Sequence, residues 1–152
     1  MAGRTGRPIA RLSAFWDTSA LVPLCVRQPR TPHAIGFYQR YEVMVWWATP
    51  VEIASALARL VRMKHLEPRE WPEARRLAGK LADGWSVIQP SDTLRKSAAE
   101  LVDNYDLRAA DALQLAAALV WCEDEPQDQV FLTLDQKLRE AALLRGFDAK
   151  QM

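Results

Sequence analysis

Four acidic residues of this chain sit where a carboxylate is poorly explained as a solvated surface group. Asp17 follows Phe15-Trp16 and precedes Thr18-Ser19, so an acid interrupts an apolar run and two hydroxyls come straight after it. Glu52 lies in Thr49-Pro50-Val51-Glu52, ahead of a largely apolar segment. Asp111 is set within Ala109-Ala110-Asp111-Ala112-Leu113-Gln114-Leu115-Ala116, and Asp135 ends Phe131-Leu132-Thr133-Leu134-Asp135. A carboxylate in apolar surroundings is costly unless it is paired or holds a metal. Within a helical turn of Asp111 the one basic residue is Arg108. Together the four acids point to a site that a divalent cation neutralises, and an all-oxygen donor set suits Mg²⁺ or Mn²⁺. Each acid also has a structural reading. Glu52 completes a capping box with Thr49, Asp17 and Asp135 cap the helices they precede, and Asp111 suits the dipole of a first helical turn.

The elements that must position these acids alternate between strand and helix. Residues 11–17 read as a strand ending at Asp17, and 18–26 as a short helix. Pro29 and Pro32 then break the chain, and a helix capped by Thr31 runs to about residue 41. Residues 42–47 read as a buried strand, with Trp46 and Trp47 facing opposite sides of it. A helix capped by Thr49 follows to about residue 64, another spans 67–84, and a short strand spans 85–89. Helices over 91–104 and 107–123 come next, then an acidic connector, a strand over 130–134 and a helix over 135–145 that Gly146 stops. Residues 147–152 form at most a weak edge strand. This alternation predicts a mostly parallel sheet of four to five strands with helices on both faces. Asp17 and Asp135 then fall at the carboxyl ends of strands, where open α/β sheets place their ligands.

Composition limits the other chemistries. The 152 residues suit one domain, taken as 12–152, preceded by a flexible basic leader over 1–11. Twenty basic and nineteen acidic residues give a net charge of +1, so nucleic-acid binding would need a local basic patch. The segment Arg27-Gln28-Pro29-Arg30 is one such candidate. Cys25 and Cys122 form no disulfide framework, and without a secretory signal the cytoplasm is the expected compartment. No run is long enough to span a bilayer. His33 and His65 have no zinc spacing with the cysteines, there is no Gly-rich phosphate loop, and Ser19 has no His partner for a serine triad.

Four pieces of the sequence carry a resemblance: Asp17-Thr18-Ser19-Ala20-Leu21-Val22, Pro50-Val51-Glu52-Ile53-Ala54-Ser55-Ala56-Leu57, Leu107-Arg108-Ala109-Ala110-Asp111-Ala112-Leu113-Gln114, and Phe131-Leu132-Thr133-Leu134-Asp135. In this order and at these separations the chain resembles PIN-domain proteins, and among them the VapC-type toxin ribonucleases. The resemblance implies a three-layer α/β fold around a central parallel sheet. It implies that Asp17, Glu52, Asp111 and Asp135 hold Mg²⁺ or Mn²⁺ and cleave RNA, with Thr18, Ser19 and Thr133 beside them as hydroxyls that orient water or the acids. It further implies a small antitoxin partner whose carboxyl-terminal segment covers the site, and a homodimer. Gln114 departs from the pattern, since many relatives carry His there. The rival reading is a non-catalytic PIN-like domain that binds RNA or protein.

Overall fold

The computed structural model describes residues 11–152, so the leader expected at the amino end lies almost wholly outside the described residues. The five strands are β1 (Leu12–Trp16), β2 (Tyr41–Trp46), β3 (Ser86–Ile88), β4 (Val130–Leu132) and β5 (Asp148–Lys150). They form one sheet in the order β3-β2-β1-β4-β5, and every pairing is parallel. The helices are α1 (Thr18–Cys25), α2 (Thr31–Arg40), α3 (Thr49–Arg62), α4 (Trp71–Ala82), α5 (Asp92–Asn104), α6 (Ala109–Trp121) and α7 (Gln136–Arg145). Most of these bounds fall within a few residues of those read from the sequence, and the end of the chain does form the edge strand β5.

The period of two along each strand divides the core into two layers. Ala14 and Trp16, Val43 and Val45, and Val130 and Leu132 face α1, α2, α3 and α4. Phe15, Trp46 and Phe131 face α5, α6 and α7. Phe15 and Phe131 are cross-strand partners and stack with ring centroids 5.5 Å apart, which locks β1 to β4 at the centre of the sheet. Helix α6 is almost entirely apolar because it is buried along most of its length: Ala112, Leu115, Ala116, Ala117 and Ala118 have no exposed surface. Alanine at these places lets the helix approach the sheet closely. At the end of α7, Gly146 takes φ of +106°, a left-handed conformation that suits glycine.

Three local expectations are corrected. Helix α3 is entered through Ala48, whose backbone carbonyl receives the Val51 and Glu52 amides, so Thr49 is not the cap and no capping box forms. Thr49 is instead fully buried. Helix α2 likewise starts after Arg30 with no side-chain cap, and the Thr31 hydroxyl accepts from the Gln28 amide at 2.8 Å and donates to the Pro23 carbonyl at 2.8 Å. Thr31 therefore ties the loop back onto α1. Finally, β2 ends at Trp46, and Trp47 turns out to solvent with 54% of its surface exposed.

Candidate active site

Strand order changes direction at β1: β2 and β3 lie on one side of it, β4 and β5 on the other. In open α/β sheets the crevice at the carboxyl ends of the strands flanking such a point is the usual ligand site. Asp17 leaves β1 at this point, and its amide donates to the Leu132 carbonyl at 2.9 Å, which extends the β1–β4 ladder by one residue. Thr133 and Asp135 leave β4 beside it. Above them opens a cleft of about 930 Å³ lined by all four candidate acids, Asp17, Glu52, Asp111 and Asp135, together with Thr18 and Ser19. Four different elements thus supply one acidic surface.

Asp17 is held most firmly. It caps α1, and three donors converge on its Oδ2: the Ser19 hydroxyl at 2.6 Å, the Thr133 hydroxyl at 2.8 Å and the Ser19 amide at 3.3 Å. Both hydroxyls are oriented in turn, because Ser19 Oγ accepts from the Leu134 amide at 2.8 Å and Thr133 Oγ1 from the Asp135 amide at 3.0 Å. The turn after β4 therefore sets the carboxylate at the end of β1. Asp135 caps α7 by accepting from the Leu138 amide at 2.8 Å, as its structural reading supposed, and still lines the cleft. Glu52 projects from the first turn of α3 and accepts from the Gln114 side-chain amide at 2.9 Å. Asp111 stands in the first turn of α6, half-buried.

Burial and mutual repulsion shift Asp17, Glu52 and Asp111 in one direction. Burial raises Asp17 above the usual carboxylate range, against the hydrogen bonds from Ser19 and Thr133 that pull it down. Glu52 is pushed up to about 7, first by burial and then by the charge of Asp17, with Asp111 adding to it. Asp111 is raised by burial, then by Asp135 and Asp17, and is partly offset by Arg108. None of the four forms an ion pair with a basic side chain among the described residues.

The donor set fits a hard divalent cation, being oxygen throughout and, among the described residues, without an ion-pair partner. Among the described residues, however, no three Asp, Glu, His or Cys side chains are gathered closely enough to form a finished metal cage. Mg²⁺ retains several waters and is commonly held through one or two carboxylates, so a cleft lined by separated acids is compatible with it.

Several lining residues were not singled out from the sequence. Arg59, Asp106 and Lys137 border the cleft along with Arg108, and Lys137 pairs with Asp106. Arg59 had a usable signal, since it follows Glu52 by seven residues and so lies two turns along the same helical face. Ser55, Ala56 and Leu60 belong to that stripe. From the basic loop only Gln28 reaches the cleft, while Arg27 and Arg30 do not line it. Leu21 and Leu57 are fully buried core, whereas Leu60 borders the cleft.

A five-stranded parallel sheet between two helical layers, with acids collected at its switch point, defines an α/β domain built to present carboxylates from one edge. The family model for the PIN domain matches residues 14–144, and the chain belongs to the PIN-domain family. Solved structures share the fold. The toxin–antitoxin complex from Klebsiella pneumoniae aligns at 18% identity with a TM-score of 0.59, over 82% of this chain and 88% of that one. PAE2754 from Pyrobaculum aerophilum aligns at 21% identity and 0.59, over 86% and 84%. FitAcB from Neisseria gonorrhoeae aligns at 16% identity and 0.62, over 89% and 96%. No curated protein matches the chain by sequence. Among the described residues no helix is long and apolar enough to cross a membrane.

Proposed function

We propose that this PIN domain is a metal-dependent ribonuclease that hydrolyses RNA phosphodiester bonds and acts as the toxin of a toxin–antitoxin pair. The observation that carries the reading is the set of four carboxylates, from four elements, facing one cleft with no ion-pair partner among the described residues. Asp17, Glu52, Asp111 and Asp135 would hold Mg²⁺ or Mn²⁺. Such an ion supplies an acidified water for attack and a counter-charge for the phosphate. Ser19 and Thr133 keep Asp17 in a single orientation, since each hydroxyl has its proton committed to the carboxylate and its lone pair to a backbone amide. Thr18 and Thr49 border Glu52 through the Gln114 amide. Arg59 and Arg108 border the acids as cations suited to backbone phosphates on either side of the scissile bond.

The partner reading draws on the Klebsiella structure, a toxin–antitoxin complex, at a similarity that shows the fold alone. A small antitoxin with a basic side chain could enter the acidic cleft and pack against its apolar wall of Val22, Ala56 and Leu60. The absence of a finished metal cage among the described residues favours one alternative, a non-catalytic domain that binds RNA or protein through the same cleft. One experiment separates the two. Purified protein should cleave RNA only with Mg²⁺ or Mn²⁺, and Asp17→Asn should abolish cleavage while RNA still binds. RNA binding without cleavage by the unmodified chain, at any metal concentration, selects the alternative.

A further inference from the structure

Gln114 lies on α6 three residues after Asp111 and has no exposed surface. Its neighbours along the helix are Ala112, Leu115, Ala116, Ala117 and Ala118, all fully buried, so packing alone would be served by leucine or methionine. The side-chain amide instead reaches across to two other helices. Its Nε2 donates to Glu52 Oε2 at 2.9 Å and to Thr18 Oγ1 at 3.2 Å, with Thr49 Oγ1 at 3.4 Å. Its Oε1 is enclosed and meets no donor among the described residues. An amide buried with its oxygen unsatisfied is unfavourable for folding, which argues that the NH₂ end does something the fold itself does not require.

The direction of the amide follows from chemistry. A carboxylate only accepts, so the NH₂ rather than the carbonyl must face a charged Glu52. A glutamate side chain has several rotatable bonds, and Glu52 has no ion pair among the described residues to fix them. Gln114 supplies that restraint. Through Thr18 the same NH₂ group is keyed to the helix that Asp17 caps.

We propose that Gln114 is a positioning residue that holds the Glu52 carboxylate toward the cleft and in register with Asp17, so that acids from α3 and α1 can share one cation. The proposal rests on the metal-dependent reading above. Partners that orient a ligating carboxylate from behind typically change metal affinity 10- to 100-fold when removed. Gln114→Met removes the donor and keeps an apolar chain of similar length, while Gln114→His keeps an N–H donor.

The test has two arms on the full chain. In metal-free ¹⁵N-labelled protein the Gln114 NH₂ signals, assigned by difference against Gln114→Met, should be displaced from free amide positions and slow to exchange. Glu52→Ala should shift them and speed their exchange. In the second arm, free Mn²⁺ is followed by electron paramagnetic resonance. Gln114→Met should bind Mn²⁺ roughly 10-fold more weakly, with kcat for RNA cleavage reduced and KM little changed, and Gln114→His should recover part of both. Gln114 signals indifferent to Glu52→Ala overturn the inference. So does unchanged Mn²⁺ affinity in folded Gln114→Met. If Gln114→Met does not fold, Gln114→His serves for the assignment, and the response of those signals to Glu52→Ala together with the affinity of Gln114→His decides. Absence of Asp17-dependent Mn²⁺ binding in the unmodified chain defeats the metal reading and this inference together, an outcome seen before any Gln114 variant is compared.

Discussion

Glu52 makes the metal-free protein lose stability as pH rises, by an amount the structure allows to be set out. Its carboxyl titrates at about 7 in the fold instead of 4.5, because burial and then the charge of Asp17 disfavour ionisation. A folded-state pKa above the unfolded one contributes stability that is fully present below about 4.5 and is lost as pH passes through about 7. The difference of 7 − 4.5 = 2.5 corresponds to at most about 3.4 kcal/mol. The side chain is half-buried, so solvent screening reduces this to about 1–2 kcal/mol. Glu52→Gln keeps the size of the side chain and removes the titration. Urea denaturation in EDTA at pH 5 and pH 8.5 should show the unmodified chain losing about 1–2 kcal/mol more than Glu52→Gln between the two. For a domain of this size the same effect is about 2–8 °C in Tm. Asp17 and Asp111 are raised too, so both proteins will decline, and the difference between them reports Glu52. Superimposable pH profiles for the two proteins would refute the electrostatic account of the cleft.

Asp17→Asn, Glu52→Gln and Asp111→Asn should each abolish metal-dependent RNA cleavage and leave the circular dichroism spectrum unaltered; full activity in any of them removes that residue from the site. Mn²⁺ should raise Tm by binding only the folded state, and the rise should vanish in the Asp17→Asn, Asp111→Asn double variant, since a rise that survives means the ion binds elsewhere. Arg59→Glu and Arg108→Glu should weaken RNA binding at least severalfold and flatten its salt dependence, measured by fluorescence anisotropy between 50 and 200 mM salt at roughly one phosphate contact each. Arg27→Glu and Arg30→Glu should have less effect, as neither side chain lines the cleft. Expression of the chain alone should arrest growth, and co-expression of a small partner encoded beside it should restore growth and co-purify; unimpaired growth with the acids intact counts against the toxin reading and leaves the nuclease reading standing.

The elements were legible because their signals are local. The continuous apolar run 130–132 marks β4, Gly146 at φ of +106° ends α7, and the Ser91 hydroxyl caps α5 by accepting from the Leu94 amide at 3.1 Å. The caps at Thr31 and Thr49 were misread because tertiary contacts compete for the same hydroxyls: Thr31 satisfies the preceding loop, and Thr49 is drawn inward against Gln114. The placement of the basic loop was not legible for a related reason. Charge at 27–30 is visible in the sequence, but whether it faces the cleft depends on how α2 packs, and only Gln28 does. Arg59 shows the converse, being invisible as an isolated residue and apparent once Glu52 is placed on a helix of period 3.6.

The site and the fold pull against each other in this molecule, and the placement of the acids shows how the conflict is contained. Carboxylates raised by burial and by one another weaken the metal-free protein at neutral pH. Each acid also does something for the chain around it. Asp17 caps α1 and gathers the Ser19 and Thr133 hydroxyls across the β1–β4 junction. Asp135 caps α7, and Asp111 favours the first turn of α6. Glu52 shares that first-turn placement in α3 but caps nothing, since Ala48 enters α3 without it and no capping box forms. An acid that caps no helix is thus the one pushed up to about 7 and the one that accepts from Gln114. That pairing of cost with little local compensation is a better mark of functional placement than the presence of an acid alone. It makes Glu52, ahead of Asp135, the residue whose neutralisation should stabilise the metal-free fold most clearly while removing the proposed activity.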